Sequence, residues 1–122
     1  MKLRPLFIAT LALCLGFTNA SWASGRAYIT NQGSNNVSVI DIASNKVIAT
    51  IEVGKAPVGV AVSTKLAKVF ISNVDGQSIS VIDSKTNQVI DTLAIKGSPV
   101  GLALAPDSSV LYVADWFADQ VL

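Results

Sequence analysis

The amino-acid sequence repeats itself from about residue 27 onward, with a period of 42. Between the segments 27–68 and 69–110, 14 of the 42 positions are identical, and no gap is needed to align them. The same spacing aligns three short segments, which are Ala27–Asn31, Val69–Asn73 and Leu111–Asp115. A fixed period of this length is typical of folds assembled from repeated supersecondary units, so it constrains the architecture more than any single residue does.

Each repeat is predicted to consist of four short β-strands. Runs rich in β-branched residues are bounded by Gly, Pro, Asn, Asp and Ser, and the pattern suggests no helix. In the complete copy the strands are expected at Val58–Ser63, Lys68–Asn73, Ser78–Asp83 and Gln88–Ile95. Four strands at this period are typical of a propeller blade. The predicted fold class is therefore all-β, a β-propeller of four-stranded antiparallel blades.

The repeated glycines and aspartates are expected to have structural roles in packing and in turns. Gly59 and Gly101 open the strand nearest the propeller axis, where blades crowd together and a side chain would clash. Asp41 and Asp83 end their strands, where a carboxylate can accept hydrogen bonds from N–H groups of the following turn. These four positions therefore need no functional explanation.

The repeated motifs resemble those of the YVTN-repeat β-propellers, a group that includes periplasmic YncE-like proteins and bacterial and archaeal surface-layer proteins. The motif that names the family is similar to Tyr28–Asn31, Phe70–Asn73 and Tyr112–Asp115, and its companions to Val37–Asp41, Ile79–Asp83 and Ala105–Asp107. The resemblance covers the chain from about residue 27 and implies a ring of about seven blades. It is specific for the fold and hardly for a function, because members of the family do quite different things.

The first residues of the chain read as a secretory signal peptide. Lys2 and Arg4 precede an apolar run at 6–17, and small residues suit cleavage between Ala23 and Ser24. The alternative, a transmembrane anchor, needs an apolar run of about 20 residues. We therefore expect a protein of the periplasm, the cell surface or the medium, without a stable membrane anchor after cleavage.

The predicted organisation is a signal peptide at 1–23 followed by an incomplete propeller at 24–122. Its repeats are expected at 27–68, 69–110 and 111–122, with the first blade entered at its second strand and the last one truncated. Propellers close as rings of about four to eight blades, so we expect further blades in the natural product. The alternative is a short chain that completes a ring by oligomerisation.

Composition predicts no cofactor, no metal and no catalytic residue. The chain has no histidine, and its single cysteine, Cys14, lies in the predicted signal. The commonest metal ligands and nucleophile–base pairs are thus missing from the predicted mature part. Without Lys2 and Arg4, seven basic residues oppose eight acidic ones, a formal charge of −1 with no basic cluster. A nucleic acid is therefore not an expected partner.

The candidate functional surface is the loop face, which we define as the loops at 31–36, 54–57, 73–78, 96–99 and 115–120. Asn31, Asn73 and Asp115 end their strands at this face, where they either contact a ligand or cap turns. Trp116 and Phe117 follow in a predicted exposed loop, as in an interaction hot spot, or they cover the edge of the neighbouring blade. The expected partner is an unidentified protein or small ligand at these five residues.

Three hypotheses remain for the function. The first is an exported, non-catalytic binding or interaction module of the periplasm or cell surface. The second is an accessory or catalytic propeller, similar to those that serve quinoprotein dehydrogenases or lactone hydrolysis, with its active residues in other blades. The third is a surface-layer or adhesion protein. Acidic, His or Arg residues around the channel of further blades would favour the second hypothesis.

Overall fold

The computed structural model describes residues 25–122, which form nine β-strands. Their bounds are β1 (Arg26–Asn31), β2 (Asn36–Asp41), β3 (Lys46–Glu52), β4 (Pro57–Ser63), β5 (Lys68–Asn73), β6 (Ser78–Asp83), β7 (Gln88–Ala94), β8 (Pro99–Leu104) and β9 (Leu111–Asp115). A single 3-10 turn at Gln32–Ser34 accounts for the helical structure in this part of the chain. Across the same residues, no helix has the length and apolar character that a bilayer crossing needs. The predicted signal peptide, with its cleavage between Ala23 and Ser24, lies outside the described residues.

The strands form three antiparallel sheets, each a simple meander along the chain. The first blade contains β1–β3, the second contains β4–β7 and the third contains β8 and β9. In the second blade, the bounds of β5 and β6 match the prediction, while β4 begins one residue earlier, at Pro57, and β7 ends one residue earlier, at Ala94. The predicted four-stranded antiparallel blade is therefore confirmed by the second blade.

The hydrophobic core lies between the first and second blades. Its buried members come from both sheets and are Tyr28, Val37, Val39, Ile51, Val69, Ile71 and Ile82. In β6 every residue except the terminal Asp83 is buried, whereas β7 is exposed throughout. Ser78 and Ser80 are buried together with the apolar residues of β6, so the alternation of polar and apolar residues in this strand does not mark an exposed face. The first two blades are thus packed face to face, and the outer strand of the second blade, β7, lies in solvent.

The inner strands β4 and β8 approach each other closely at Gly59. A Cβ atom at this position would overlap the main-chain carbonyl oxygen of Val100 and lie 2.7 Å from the hydroxyl oxygen of Ser72. The predicted clash is therefore confirmed at Gly59. At Gly101 a Cβ atom would meet only the Cβ of Ala114, at 3.4 Å, so the described residues give no clash there.

The turns at the other end of the sheets are fixed by aspartate side chains, as predicted. Asp41 accepts a hydrogen bond of 2.9 Å from the main-chain N–H of Ser44. Asp83 accepts one of 2.7 Å from the N–H of Lys85. Asn45 and Asn87, which occupy the same position in successive repeats, adopt the left-handed conformation in these turns, with φ values of 53° and 56°. The repeat in the sequence is therefore a repeat in backbone conformation.

Candidate functional site

Main-chain hydrogen bonds join the loops of the loop face within each blade. The N–H of Val74, after β5, donates to the carbonyl of Ala56 at 3.0 Å, and the N–H of Trp116 donates to Ser98 at 3.0 Å. These two bonds occupy equivalent positions in successive repeats. Each loop that enters an inner strand therefore supports the loop that leaves the strand beside it. The loop face is an ordered surface across the second and third blades.

Asn31 and Asn73 use their side-chain amides inside their own blades. The Nδ2 of Asn31 donates to the side chains of Asn36 at 2.8 Å and Ser38 at 2.9 Å. The Nδ2 of Asn73 donates to the hydroxyls of Ser78 at 3.1 Å and Ser80 at 2.9 Å. Asn73 is completely buried, and its Oδ1 has no hydrogen-bond partner. Both side chains thus support the turn after their strand.

Asp115 occupies the same position in the third blade and organises the aromatic loop. Its Oδ1 accepts hydrogen bonds from the main-chain N–H of Phe117 at 3.1 Å and of Ser98 at 3.3 Å. The pKa of this carboxyl lies below its ordinary value, chiefly because of the hydrogen bond from Phe117. Burial acts in the opposite direction and raises the pKa. A carboxylate that receives main-chain N–H bonds is stabilised in its charged form. The ionised Asp115 therefore fixes the start of the loop that carries the aromatic pair.

Trp116 and Phe117 are exposed at the loop face, with 67% and 78% of their surface open to solvent. Together with Val58, Val74 and Val100 they line an open cleft of about 360 Å³. This volume lies at the lower end of the range found for small-ligand pockets. The cleft is mostly apolar, and the side chains of Gln32 and Asp75 supply polar groups at its wall.

The cleft also contains residues that the sequence prediction did not select. Val58 and Val100 are the second residues of β4 and β8, and both belong to the repeated Pro-Val-Gly motif. Blade packing accounts for the two glycines of this motif, and the sequence predicts no separate role for the valines. Their position in the sequence could have identified them, because both lie near the start of an inner strand at the loop face and they are one repeat apart. Val74, next to the Asp75–Gly76 turn, carries no comparable signal.

The chemistry of this cleft follows from the seven residues that line it. Asp75 is the one carboxylate in the cleft wall, and it lies beside apolar side chains. In residues 25–122, no group of three or more carboxylates is close enough to hold a metal ion. The cleft is suited to binding by contact, because two aromatic rings, three valines and two polar side chains surround an open depression.

Comparison with known proteins gives one short match by sequence. No protein-family model matches the chain. A segment of 39 residues, 32% of the chain, is 59% identical to PE-PGRS family protein PE_PGRS18 of Mycobacterium tuberculosis (strain ATCC 25618 / H37Rv). The match spans 8% of the mycobacterial protein.

Solved structures are similar over most of the chain. Hydrazine synthase of Kuenenia stuttgartiensis matches 74% of it with a TM-score of 0.71 and 29% sequence identity. A functionally unknown protein from Desulfotomaculum acetoxidans DSM 771 matches 81% of it with a TM-score of 0.68 and 15% identity. These neighbours are propeller-type folds. The fold is a β-propeller.

The propeller segment is short compared with its structural neighbours. It spans 26% of the hydrazine synthase chain and 37% of the Desulfotomaculum chain. In a propeller, the loops at one end of the blades surround the mouth of the central channel. The aromatic cleft lies where the inner strands of the second and third blades begin.

Proposed function

We propose that this propeller segment belongs to an exported, non-catalytic binding module that holds its partner at the loop face. The observation that carries the proposal is the exposure of Trp116 and Phe117 beside a mostly apolar cleft. Two exposed aromatic side chains beside three valines form a contiguous apolar patch, and such patches mark interaction sites. Aromatic residues also dominate the energetics of protein interfaces and ligand pockets.

The anchoring of the aromatic pair supports binding by a prepared surface. Asp115 and the carbonyl of Ser98 hold the main chain at Phe117 and Trp116. An ordered binding loop loses less conformational entropy on association than a flexible one. The polar groups of Gln32 and Asp75 would then orient a ligand, whereas the aromatic rings and valines would supply the buried area.

A second candidate function rests on the similarity to part of hydrazine synthase. In this alternative, the propeller is an accessory part of an enzyme assembly, and the residues that carry the chemistry lie elsewhere. The 29% identity over three quarters of the chain is the observation that favours it. Under both candidates the loop face is the contact surface, so one experiment addresses both.

The test is site-specific photo-crosslinking in living cells. A photoreactive phenylalanine analogue replaces Phe117 in the full chain, and the crosslinked products are identified by mass spectrometry. The control carries the same analogue at Ile90, an exposed residue on the outer strand of the second blade. We expect a discrete product from position 117 that is lost when Trp116→Ala is added.

The identity of the product decides between the candidates. An enzyme subunit crosslinked at position 117 supports the accessory role, and an exported non-enzymatic protein supports the binding module. If positions 117 and 90 give the same products, or if Trp116→Ala leaves the product at 117 unchanged, the loop face is not the partner surface. Fractionation of the same cells tests export: the chain should be outside the cytoplasm and lack the residues before Ser24.

A further inference from the structure

A second cleft lies between the first and second blades, at the end of the sheets opposite the loop face. Its volume is about 530 Å³, and it is open to solvent on one side. The β4–β5 and β6–β7 turns contribute to its walls, together with the start of β1 and residues of β2 and β3. None of its residues belongs to the loop face, so the proposed binding role does not explain it.

The wall of this cleft contains a buried hydroxyl group without a partner. Tyr28 lines the cleft, only 8% of its surface is exposed, and its phenolic oxygen is buried without a hydrogen bond. Buried hydroxyl groups almost always find a partner, because an unpaired one loses the hydrogen bonds that it made to water. A ligand in the cleft that uncovers this oxygen would therefore supply the missing hydrogen-bond partner.

Two basic side chains lie at the same cleft. Arg26 and Lys85 both line it, one from each blade. The guanidinium of Arg26 donates to the carbonyl of Ser84, which uses one of its five N–H donors and positions the group at the junction of the blades. Arg26 and Lys85 therefore bring two positive charges and several free donors to one depression.

The one carboxylate in the cleft cancels only one of these two charges. Asp41 lies in its wall, but its Oδ2 already accepts hydrogen bonds from the hydroxyl of Ser44 at 2.6 Å and from its N–H at 2.9 Å. These bonds, and after them the charge of Arg26, hold the pKa of Asp41 below its ordinary value. Against two cations and one anion, the lining has a net charge of +1.

The repeat itself indicates that the polar groups of this cleft are not required by the fold. One repeat after Tyr28 the chain has Phe70, which fills the equivalent strand position without a hydroxyl group. Likewise, Pro106 stands where the preceding copy has Thr64. The blade therefore forms with apolar residues at these positions, and the hydroxyl groups of this cleft need a separate explanation.

We propose that this cleft binds a small organic oxyanion. Arg26, Lys85 and the hydroxyl of Tyr28 hold a carboxylate or phosphate group, while the apolar part of the ligand covers Ile48 and Val62. Both of these aliphatic side chains line the cleft and are about half exposed, so a ligand there removes apolar surface from water. Charge-assisted hydrogen bonds from arginine and lysine are the strong contacts of carboxylate and phosphate sites.

The test is a titration of the full chain, labelled with ¹⁵N, with three probes: phenyl phosphate, benzoate and inorganic phosphate. We expect phenyl phosphate or benzoate to shift the amide signals of Arg26, Thr64 and Lys85 saturably. Binding of phenyl phosphate alone assigns a phosphate ester, whereas binding of benzoate as well assigns oxyanions in general. Inorganic phosphate should bind more weakly than either, because it does not cover Ile48 and Val62.

Three variants separate a specific site from a general effect of charge. Tyr28→Phe, which copies Phe70, and Lys85→Gln should each weaken binding roughly tenfold. Lys96→Gln removes the same charge at the loop face and should leave the affinity unchanged. The proposal is overturned if no probe saturates these signals, if inorganic phosphate binds as well as phenyl phosphate, or if Tyr28→Phe and Lys85→Gln, with native-like spectra, bind as the parent does.

Discussion

The hydroxyl group of Ser72 donates a hydrogen bond of 2.7 Å to the main-chain carbonyl of Val100, across the boundary between the second and third blades. The same oxygen accepts a bond of 2.7 Å from the N–H of Gly59. One repeat earlier, Thr30 makes the equivalent bond to Val58, at 3.0 Å. A hydroxyl group on the second strand of one blade therefore joins it to the inner strand of the next.

Removing the hydroxyl of Ser72 should destabilise the chain. Ser72 is completely buried, so Ser72→Ala leaves the N–H of Gly59 and the carbonyl of Val100 with one partner fewer each. The loss of a buried hydrogen-bond partner costs about 1–3 kcal/mol, and we expect about 2 kcal/mol in the free energy of unfolding. Urea unfolding followed by circular dichroism measures this change.

The matched control for this prediction is Thr30→Ser. It keeps the hydroxyl group of the equivalent contact, so the free energy of unfolding should change by less than about 0.5 kcal/mol. An unchanged urea midpoint for Ser72→Ala would show that the bond between blades contributes nothing to stability.

The close approach at Gly59 predicts a strong difference between two glycines of the same motif. In Gly59→Ala the new methyl group meets main-chain atoms of β8, which cannot move without separating the blades. We expect a loss of about 3 kcal/mol, at the upper end for overpacking. Gly101→Ala meets only the methyl group of Ala114, at 3.4 Å, and should cost less than about 1 kcal/mol. Equal losses in thermal unfolding would contradict this view of the blade contact.

Much of this fold was predictable because strand, turn and period are local properties. The bounds of β5 and β6 follow from runs of β-branched residues between turn residues, and the period of 42 sets the number of strands in a blade. The contact of Ser72 with Val100 was not predictable in this way. It joins residues 28 positions apart, and it depends on how closely one sheet packs against the next.

The two clefts also depend on packing between sheets, which the sequence does not predict. The exposure of Trp116 and Phe117 was predictable, because they lie in a loop. Val58 and Val74 belong to the neighbouring blade, and they line the same cleft only because the two sheets pack together. From the sequence, Tyr28 is only the first residue of a repeated motif. Only the structure reveals that its hydroxyl group lacks a partner beside a charged cleft.

Left-handed backbone at Gln77 offers a way to stabilise the second blade. Gln77 has a φ of 47° in the exposed turn between β5 and β6, and Asn35 occupies the equivalent position with a φ of 55°. A residue with a Cβ atom pays about 1–2 kcal/mol for this conformation, and glycine avoids that strain at some cost in entropy. We therefore expect Gln77→Gly to raise the free energy of unfolding by about 0.5 kcal/mol.

The control for this substitution lies in a regular strand. Gln88 begins β7, is also exposed and has no left-handed backbone. Gln88→Gly should destabilise the chain by about 0.5–1 kcal/mol, because glycine gains flexibility only in the unfolded state. Opposite signs for the two variants in urea unfolding would confirm that strain at Gln77 is released; a loss of stability in both would contradict it.

Acid should loosen the aromatic loop through Asp115. The pKa of this carboxyl is held below its ordinary value of 3.8, chiefly by the N–H of Phe117, so the ionised form favours the folded loop. Its contribution is present above the ordinary value and is lost as the pH falls through the lower value in the folded protein. In a Trp22→Phe background, Trp116 is the only tryptophan, and its emission reports on the loop directly. We expect that emission to change below pH 3.8 and to recover when the pH is raised.

Two variants assign this change to Asp115 and not to acid unfolding in general. Asp115→Asn keeps an oxygen acceptor for the N–H of Phe117 but has no charge to lose, so the acid-dependent change in Trp116 emission should be reduced or absent. Asp107→Asn is the matched control, because Asp107 also has a lowered pKa, through its bonds to Ser109, but lies at the opposite end of the sheet. That variant should keep the transition of the parent. A transition that is unchanged in Asp115→Asn, or abolished equally in Asp107→Asn, would mean that Trp116 reports global unfolding and that Asp115 does not control the loop.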